Sequence, residues 1–595
     1  MRKLLLCLYL IVGLLSGCSN DVSSKLDVKI LDQKVQYGNS DVLYQIPNSI
    51  IEKGTMQSFC RYQDYLLSAY FTYDSDNNIS LYNIHLISVE TGELVKKVSL
   101  EELESPVIQV NDNYIGVKDQ LTGKYMIFDN ELNMIKDYQF KVGDTYMNKD
   151  ASILYSFNDD EGIRVLEGDK ESVFLKNAGY VNVISNYDDI ICFTYFNKDT
   201  LLEEYGVLNL DTGKIDIFDT DYSLMNMESN GNVFIANLAG EGNTYLFMNN
   251  NDKKYFKLSH TYSAIELQEN DYISVESFGD ESIEIDLYDL NGNYISGIDI
   301  SDVVSAPLDR LVWFEECNGY FFTLSNNKGL ESLCFWDLSE KQEGEDMEFL
   351  DDIYASDSRI NDIFNKYGVK VNIGESVKTE YYEHHADIVT NETIINKALD
   401  NIEVGLSSFP EDFFRQLRYS NYRYIEINLT GSIYNNDIST SYSDGTVNGL
   451  TEEGMGKQVI ALDINKDGMK QTFYHEISHA IDGKIIFASV YINKLKDYEK
   501  GWEDLNQKDF SYPMRYYDLP MSIYEEKYLD DFVDFYSMTF PTEDRARLFE
   551  NIMMGNNEVF DKYPVRIKKL RYYSECIRKV FDTSNWKNVE KWEGV

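Results

Sequence analysis

Histidine is rare in this chain, with six among 595 residues. Cysteine and proline are nearly as rare, with seven and eight. The cysteines (Cys7, Cys18, Cys60, Cys192, Cys317, Cys334 and Cys576) are scattered and form no C-x-x-C pair. That spacing excludes a disulfide framework and a thiolate metal site, and makes most of them packing residues. Few prolines, beside 46 tyrosines and 31 phenylalanines, exclude a disordered chain and favour a large folded β portion. Basic residues are in deficit too: 54 Lys and Arg face 101 Asp and Glu, a net charge of -47. A nucleic-acid interface needs a basic surface, so that class is excluded. The same charge suits a soluble exported protein with basic or metal-bridged partners. Beyond residue 15 no apolar run is long enough to cross a bilayer. A chain of 595 residues exceeds one ordinary core, so two or more domains are expected.

The N-terminus bears on compartment. Arg2 and Lys3 precede an apolar stretch, Leu4 to Leu15, that is too short to span comfortably. The stretch ends in Leu15-Ser16-Gly17-Cys18, with small residues directly before a cysteine. This string resembles the bacterial lipoprotein cleavage box. The resemblance implies a signal peptide over 1–17, lipidation of Cys18 and a polar tether over 18–40. The mature chain is then expected at the outer face of the cytoplasmic membrane, held by its lipid.

Residues 41–343 look repetitive. Short alternating strands recur, with units starting near residues 65, 107, 151, 182, 228, 270 and 312. A spacing of about 40 is the length of a four-stranded propeller blade. Hairpins of one type recur at Leu86–Leu94, Val207–Ile215 and Leu287–Ile295, each with a glycine to supply the positive φ of a tight turn. The expectation is an all-β propeller-like domain of about seven blades, with a β-sandwich array or β-solenoid as the alternative. His85 and His260 stand alone in it, so this half is assigned to binding or positioning.

An acidic stretch, Glu340 to Asp346, marks the boundary, and residues 344–595 form the second domain. Helical periodicity appears over Arg359–Tyr367, Thr393–Leu406, Pro410–Leu417 and Ile567–Phe581, with strands at Tyr422–Leu429 and Gln458–Ile464. Within this part lies His475-Glu476-Ile477-Ser478-His479, an H-E-x-x-H string on a helical segment. With so few histidines, a chance match has odds of about 1 in 200. Residues four apart share a helix face, so His475 and His479 can reach one metal, and Glu476 can take a proton from a water there. Met469, Phe473, Ile477 and Ile481 form an apolar stripe on another face. Asp467 reads as the N-cap and Gly483 as the stop. The Gln458–Ile464 strand is expected to run beside the site and hold an extended peptide by edge hydrogen bonding.

Catalytic zinc normally takes three protein ligands. The best third candidate is Glu543, in the first turn of a helix that Pro541 would open; Glu525 and Glu526 are the fallback. Two other strings are weaker. Asp463-Ile464-Asn465-Lys466-Asp467-Gly468 opens like a calcium loop, but position twelve is Tyr474, so it reads as a strand-to-helix turn. His384 and His385 are adjacent and point to opposite faces of a strand.

The pairing of H-E-x-x-H-A-I-D with a later Y-x-x-x-x-x-x-E-D-x-A resembles the lethal-factor-like zinc peptidases and related bacterial metallopeptidases. The resemblance covers roughly residues 360 to 595 and is specific around the two motifs. It implies zinc bound by His475, His479 and Glu543, Glu476 as general base, and Tyr536 aiding catalysis as a donor to the oxyanion. Many members carry an acid four residues after the ligand glutamate; this chain has Arg547. Asp482 and Asp544 are candidates to orient a ligand histidine.

The expected whole is multidomain: an all-β propeller-like N-terminal domain, then a zincin-like α+β metallopeptidase domain. The expected activity is zinc-dependent cleavage of a protein or peptide, with a protein or glycan ligand for the propeller. The alternative is an extracellular binding or sensor lipoprotein with a silent zinc domain. A zinc hydrolase acting on a cell-wall amide is a third.

Overall fold

Short strands joined by tight turns cannot bury both faces in one sheet, so successive sheets must stack. The computed structural model describes residues 36–594 apart from short gaps, the longer ones being 46–54, 302–310, 351–357, 437–444 and 514–525. The expected signal peptide, Cys18 and Glu525 lie outside the described residues. Among those described, the first half forms seven antiparallel sheets of four or five strands. The first comprises Thr55–Tyr62, Tyr65–Asp74, Ile79–Ser88 and Leu94–Glu101, paired in chain order. Five more repeat that up-and-down order over residues 106–139, 144–174, 178–218, 224–257 and 263–301.

The seventh sheet joins the two ends of the series. Val312–Phe314, Gly319–Ser325 and Glu331–Asp337 pair in chain order, and the last pairs with Ser40–Gln45, where Asp41 lies opposite Phe335. A strand from the start of the chain completes the last sheet and covers its edge, as in a propeller. Apolar layers fill the space between neighbouring sheets: Leu67 and Ile84 with Ile115 and Val117, and Phe157 and Ile163 with Phe193 and Leu208. Turn glycines have the positive φ foreseen, 66° at Gly213 and 82° at Gly292; Gly92 lies outside the described residues.

One buried acid in these sheets makes stability depend on pH. Burial, and then the charge of Glu266, push the Glu276 carboxyl up to about 7. Its folded value therefore lies above its unfolded one. Its stabilising proton is retained below about pH 4.5 in both states and is lost from the folded state as pH rises towards 7. Above that, the folded sheet carries a buried charge. Glu276→Gln removes the charge. Urea unfolding of the variant should show a gain over wild type at pH 8, up to about 3 kcal/mol, that vanishes at pH 4. Equal gains at both pH values would refute the assignment.

The chain divides into two compact units after Ile353, and the short segments Asn197–Glu203 and Asp219–Ser223 group with the second. The boundary is later than the expected 343/344. Phe349–Leu350 still belongs to a propeller sheet, because Phe349 pairs opposite Phe256 and packs on its ring.

The second unit is α+β. Its sheet runs Val369–Asn372, Tyr424–Thr430, Lys457–Asp463, Gly449–Gly454; the first three are parallel and the last is antiparallel to its neighbour. Helices Ser358–Tyr367, Glu392–Leu406, Met469–Tyr491, Pro541–Met554 and Pro564–Val580 accompany it. The expected helix at 410–417 shrinks to one turn, Phe413–Gln416, because Phe413 and Phe414 are both drawn into an aromatic core. At its centre Phe409 touches Phe413, Tyr474, Phe549 and Trp592, with ring centroids 4.6 to 6.2 Å away. Tyr474 precedes His475 and Phe549 precedes Glu550, so this core sets the spacing of the two helices that build the site. Among the described residues no helix is long and apolar enough to cross a membrane.

Candidate metal centre

The motif helix is longer than its sequence signals suggest. It starts at Met469, with Gly468 as N-cap at φ 88°, so Asp467 is not the cap. It continues through Gly483 to Tyr491. Gly483 is not a stop; it is a point of close approach, where a Cβ would lie 2.8 Å from the Tyr419 hydroxyl. The stripe Met469, Phe473, Ile477 and Ile481 is buried as expected, and Glu476, 4% exposed, is buried as well. The strand-to-helix turn ahead of it is held by Asp463 Oδ1, which accepts the Asn465 N–H at 3.0 Å.

Three side chains converge on one point. Pro541 opens the second helix at N1, which places Glu543 in its first turn. Glu543 Oε2 is 3.0 Å from His475 Nε2, Glu543 Oε1 is 3.6 Å from His479 Nε2, and the two Nε2 atoms are 3.2 Å apart. A tetrahedral zinc shell at 2.0–2.2 Å separates its donor atoms by about 3.3–3.6 Å. Two imidazoles and a carboxylate at this spacing therefore fit zinc in both chemistry and size. The fallback Glu526 begins a separate 3-10 turn, Glu526–Tyr528, and its side chain lies outside the described residues.

Burial disfavours charge on both imidazoles, but the carboxylates outweigh it. His475 is held up to about 10 by Glu543 and Glu550, and His479 is raised by Glu543 and Glu476. Burial opposes ionisation of Glu543, and the two imidazoles overcome it, holding its carboxyl well below the usual range. Burial pushes Glu476 above the usual carboxylate range, against the opposing charge of His475 and His479. Thr451 Oγ1 donates to Glu476 Oε2 at 2.8 Å and fixes its orientation.

Neither acid expected to orient the histidines does so. Asp482 accepts from the Tyr498 hydroxyl at 2.6 Å and from the buried Arg545 at 2.7 Å. Asp544 accepts from Lys569 and Tyr512, each at 2.7 Å. Asp544 is one residue past Glu543, about 100° around the helix, and so faces the core. The pair Asp482–Arg545 instead ties the two ligand-bearing helices together. The orienting acid is Glu550, whose Oε2 lies 3.0 Å from His475 Nδ1. It is also held by Gln471 at 2.7 Å and by Arg547 at 2.5 Å. Arg547 is thus a partner of the orienting acid. Sequence reasoning missed Glu550, although seven residues from Glu543 is two helical turns on the same face. Glu550→Gln should weaken zinc affinity about 10- to 100-fold in a competition titration while the fold survives; unchanged affinity would remove Glu550 from this role.

A cleft of about 910 Å³ opens over the triad, lined by Thr451, Glu453, Glu476, His479, Ile486 and Tyr536 among others. Tyr536 stands on a 3-10 turn, 44% exposed, its ring 6.3 Å from that of His475. The strand beside the cleft is not the one expected. Lys457–Asp463 is paired on both sides, and the sheet's edge is Gly449–Gly454. Gly449 is required there, since a Cβ would come within 2.9 Å of Glu476 Oε1 and 3.1 Å of the Ala461 carbonyl. Of the adjacent histidines, His384 lines the cleft and His385 bonds Asn436 at 2.8 Å.

No protein-family model matches the chain, and no curated protein matches it. Solved structures similar to it include BamB from Moraxella catarrhalis, at 12% identity over 47% of this chain and 96% of that one, with a TM-score of 0.29. The β-propeller domain of the Trilobed protease from Pyrococcus furiosus gives 11% identity over 51% and 98%, with a TM-score of 0.33. The acylaminoacyl peptidase of Pyrococcus horikoshii gives 11% over 50% and 53%, with a TM-score of 0.34. Likenesses this weak carry no conclusion. The propeller-like character of the first unit rests on its own sheets and on the pairing of its end strands.

Proposed function

We propose that this protein is a zinc-dependent peptidase whose metal is held by His475, His479 and Glu543. The convergence of these three donors at zinc spacing, beside a buried glutamate, carries the reading. Zinc bound there would supply a Lewis acid for a water and for the scissile carbonyl. Glu476, oriented by Thr451, accepts the proton of the attacking water and returns it to the leaving amine. Tyr536 lines the same cleft and donates its hydroxyl to the developing oxyanion. The edge strand Gly449–Gly454 offers its backbone to an extended peptide, which would add as a further strand. The resemblance of both motifs to lethal-factor-like zinc peptidases, and with it a zincin-like domain, supports the same reading.

The lipoprotein-like string ending at Cys18 supports an anchored protein on the exported face of a bacterial membrane. The propeller-like unit then serves to bind a protein or glycan. Digestion of a diverse peptide library with the zinc-loaded protein, read by mass spectrometry, tests the activity. Cuts that disappear with a chelator are expected. One bound zinc with no cut in any peptide would turn the reading to a binding or sensor lipoprotein.

A further inference from the structure

Among the described residues the cleft is lined by six carboxylates, Glu383, Glu452, Glu453, Glu476, Asp482 and Glu543, and by no lysine or arginine. Four of the six are committed, and among the described residues neither of the other two, Glu383 and Glu453, is paired with a lysine or arginine. Glu476 and Glu543 face the metal position, Asp482 pairs with Arg545, and Glu452 pairs with Lys378. Of Glu383 and Glu453, Glu453 is the one held in place by side chains. It accepts the hydroxyls of Tyr419 at 3.1 Å and Tyr422 at 2.7 Å, and among the described residues no cation pairs with it.

Its place on the edge strand gives it an address. Side chains alternate along a strand, so residues 449, 451 and 453 share the face towards the motif helix. Thr451 on that face bonds Glu476. Glu453 is two residues further, about 7 Å along the strand. Across from it Gly483, lacking a Cβ, lets the Tyr419 hydroxyl approach the motif helix closely. Ile486, 38% exposed, provides an apolar wall. The Tyr419 and Tyr422 rings meet edge to face at 5.1 Å. Burial, and then the Glu453 charge, raise both phenols above their usual range, so they remain donors. An oriented carboxylate between aromatic rings and an apolar wall suits a cation on an apolar stem.

We propose that Glu453 anchors a positive charge of the substrate, an ammonium or guanidinium, one step along the edge strand from the catalytic glutamate. The inference rests on the peptidase reading and names its substrate class. The charge has two possible sources: a Lys or Arg side chain, or the free α-amino group of a short peptide.

The test uses matched quenched peptides and the zinc-loaded protein. Cleavage by wild type that is lost in Glu476→Gln establishes the peptidase independently of Glu453. Removing the charge should then lower kcat/KM about tenfold. Citrulline or norleucine in place of Arg or Lys reports the side-chain source, and N-acetylation reports the α-amine. In Glu453→Gln the charged and neutral peptides should be cut alike. Glu558→Gln, which removes an exposed charge elsewhere, should keep the wild-type preference. Anisotropy with fluorescent peptides and zinc-loaded Glu476→Gln should show the same discrimination without turnover. Cleavage with no charge preference, or a preference that survives Glu453→Gln, overturns the inference and leaves the peptidase standing. Charge-selective binding without any cleavage does the reverse.

Discussion

Glu476→Gln is expected to bind one zinc, as wild type does, and to lose peptide cleavage by about 10³-fold or more. The amide is isosteric, so it keeps the contact to Thr451 Oγ1 and the packing around a side chain that is 4% exposed. It removes a carboxylate that borders the same cleft as the triad and is not one of its three donors. Burial raises that carboxyl, which makes it a stronger base when ionised. Zinc content is read by mass spectrometry of the metal and turnover by a quenched peptide. A variant that retains full turnover would sink the base assignment, and one that loses zinc would place Glu476 among the ligands.

The second large effect is expected from Glu543→Ala. This substitution removes one of three protein donors and leaves the His475 and His479 rings 4.9 Å apart with no carboxylate between them. Structural zinc sites bind with about 10–16 kcal/mol spread over four ligands, so one ligand is worth about 3 kcal/mol. Affinity should fall more than 100-fold, and the rise in Tm produced by added zinc in wild type should disappear. Phe549 and the buried Arg545 still hold this helix in place, so the zinc-free fold is expected to persist. Wild-type affinity in Glu543→Ala would remove the third ligand, and with it the hydrolytic centre.

The candidate metal triad was legible because its spacings follow from helix geometry. Two histidines four apart, and a glutamate just inside a helix opened by proline, are local patterns. The seven β units were legible through their turns. The orienting acid was not. Asp482 and Asp544 were favoured for nearness in sequence, but each is turned towards a buried cation, Arg545 or Lys569. Glu550 was passed over because its relation to His475 spans two helices. Gly483 was read as a stop, since a glycine chosen for close approach looks the same as one chosen for chain reversal. The edge strand was misjudged for a like reason: Gly449–Gly454 has few β-branched residues, and only pairing shows which strand ends a sheet.

By itself the sequence determined the donor types, their helical spacing, the repeat length and the excess of negative charge, because each is set by residues close together in the chain. The tertiary structure alone decided which acid orients His475, which strand borders the cleft and which carboxylate there is held by two tyrosine hydroxyls. Those depend on how separate helices and strands pack against a shared aromatic core, and no local pattern carries that information.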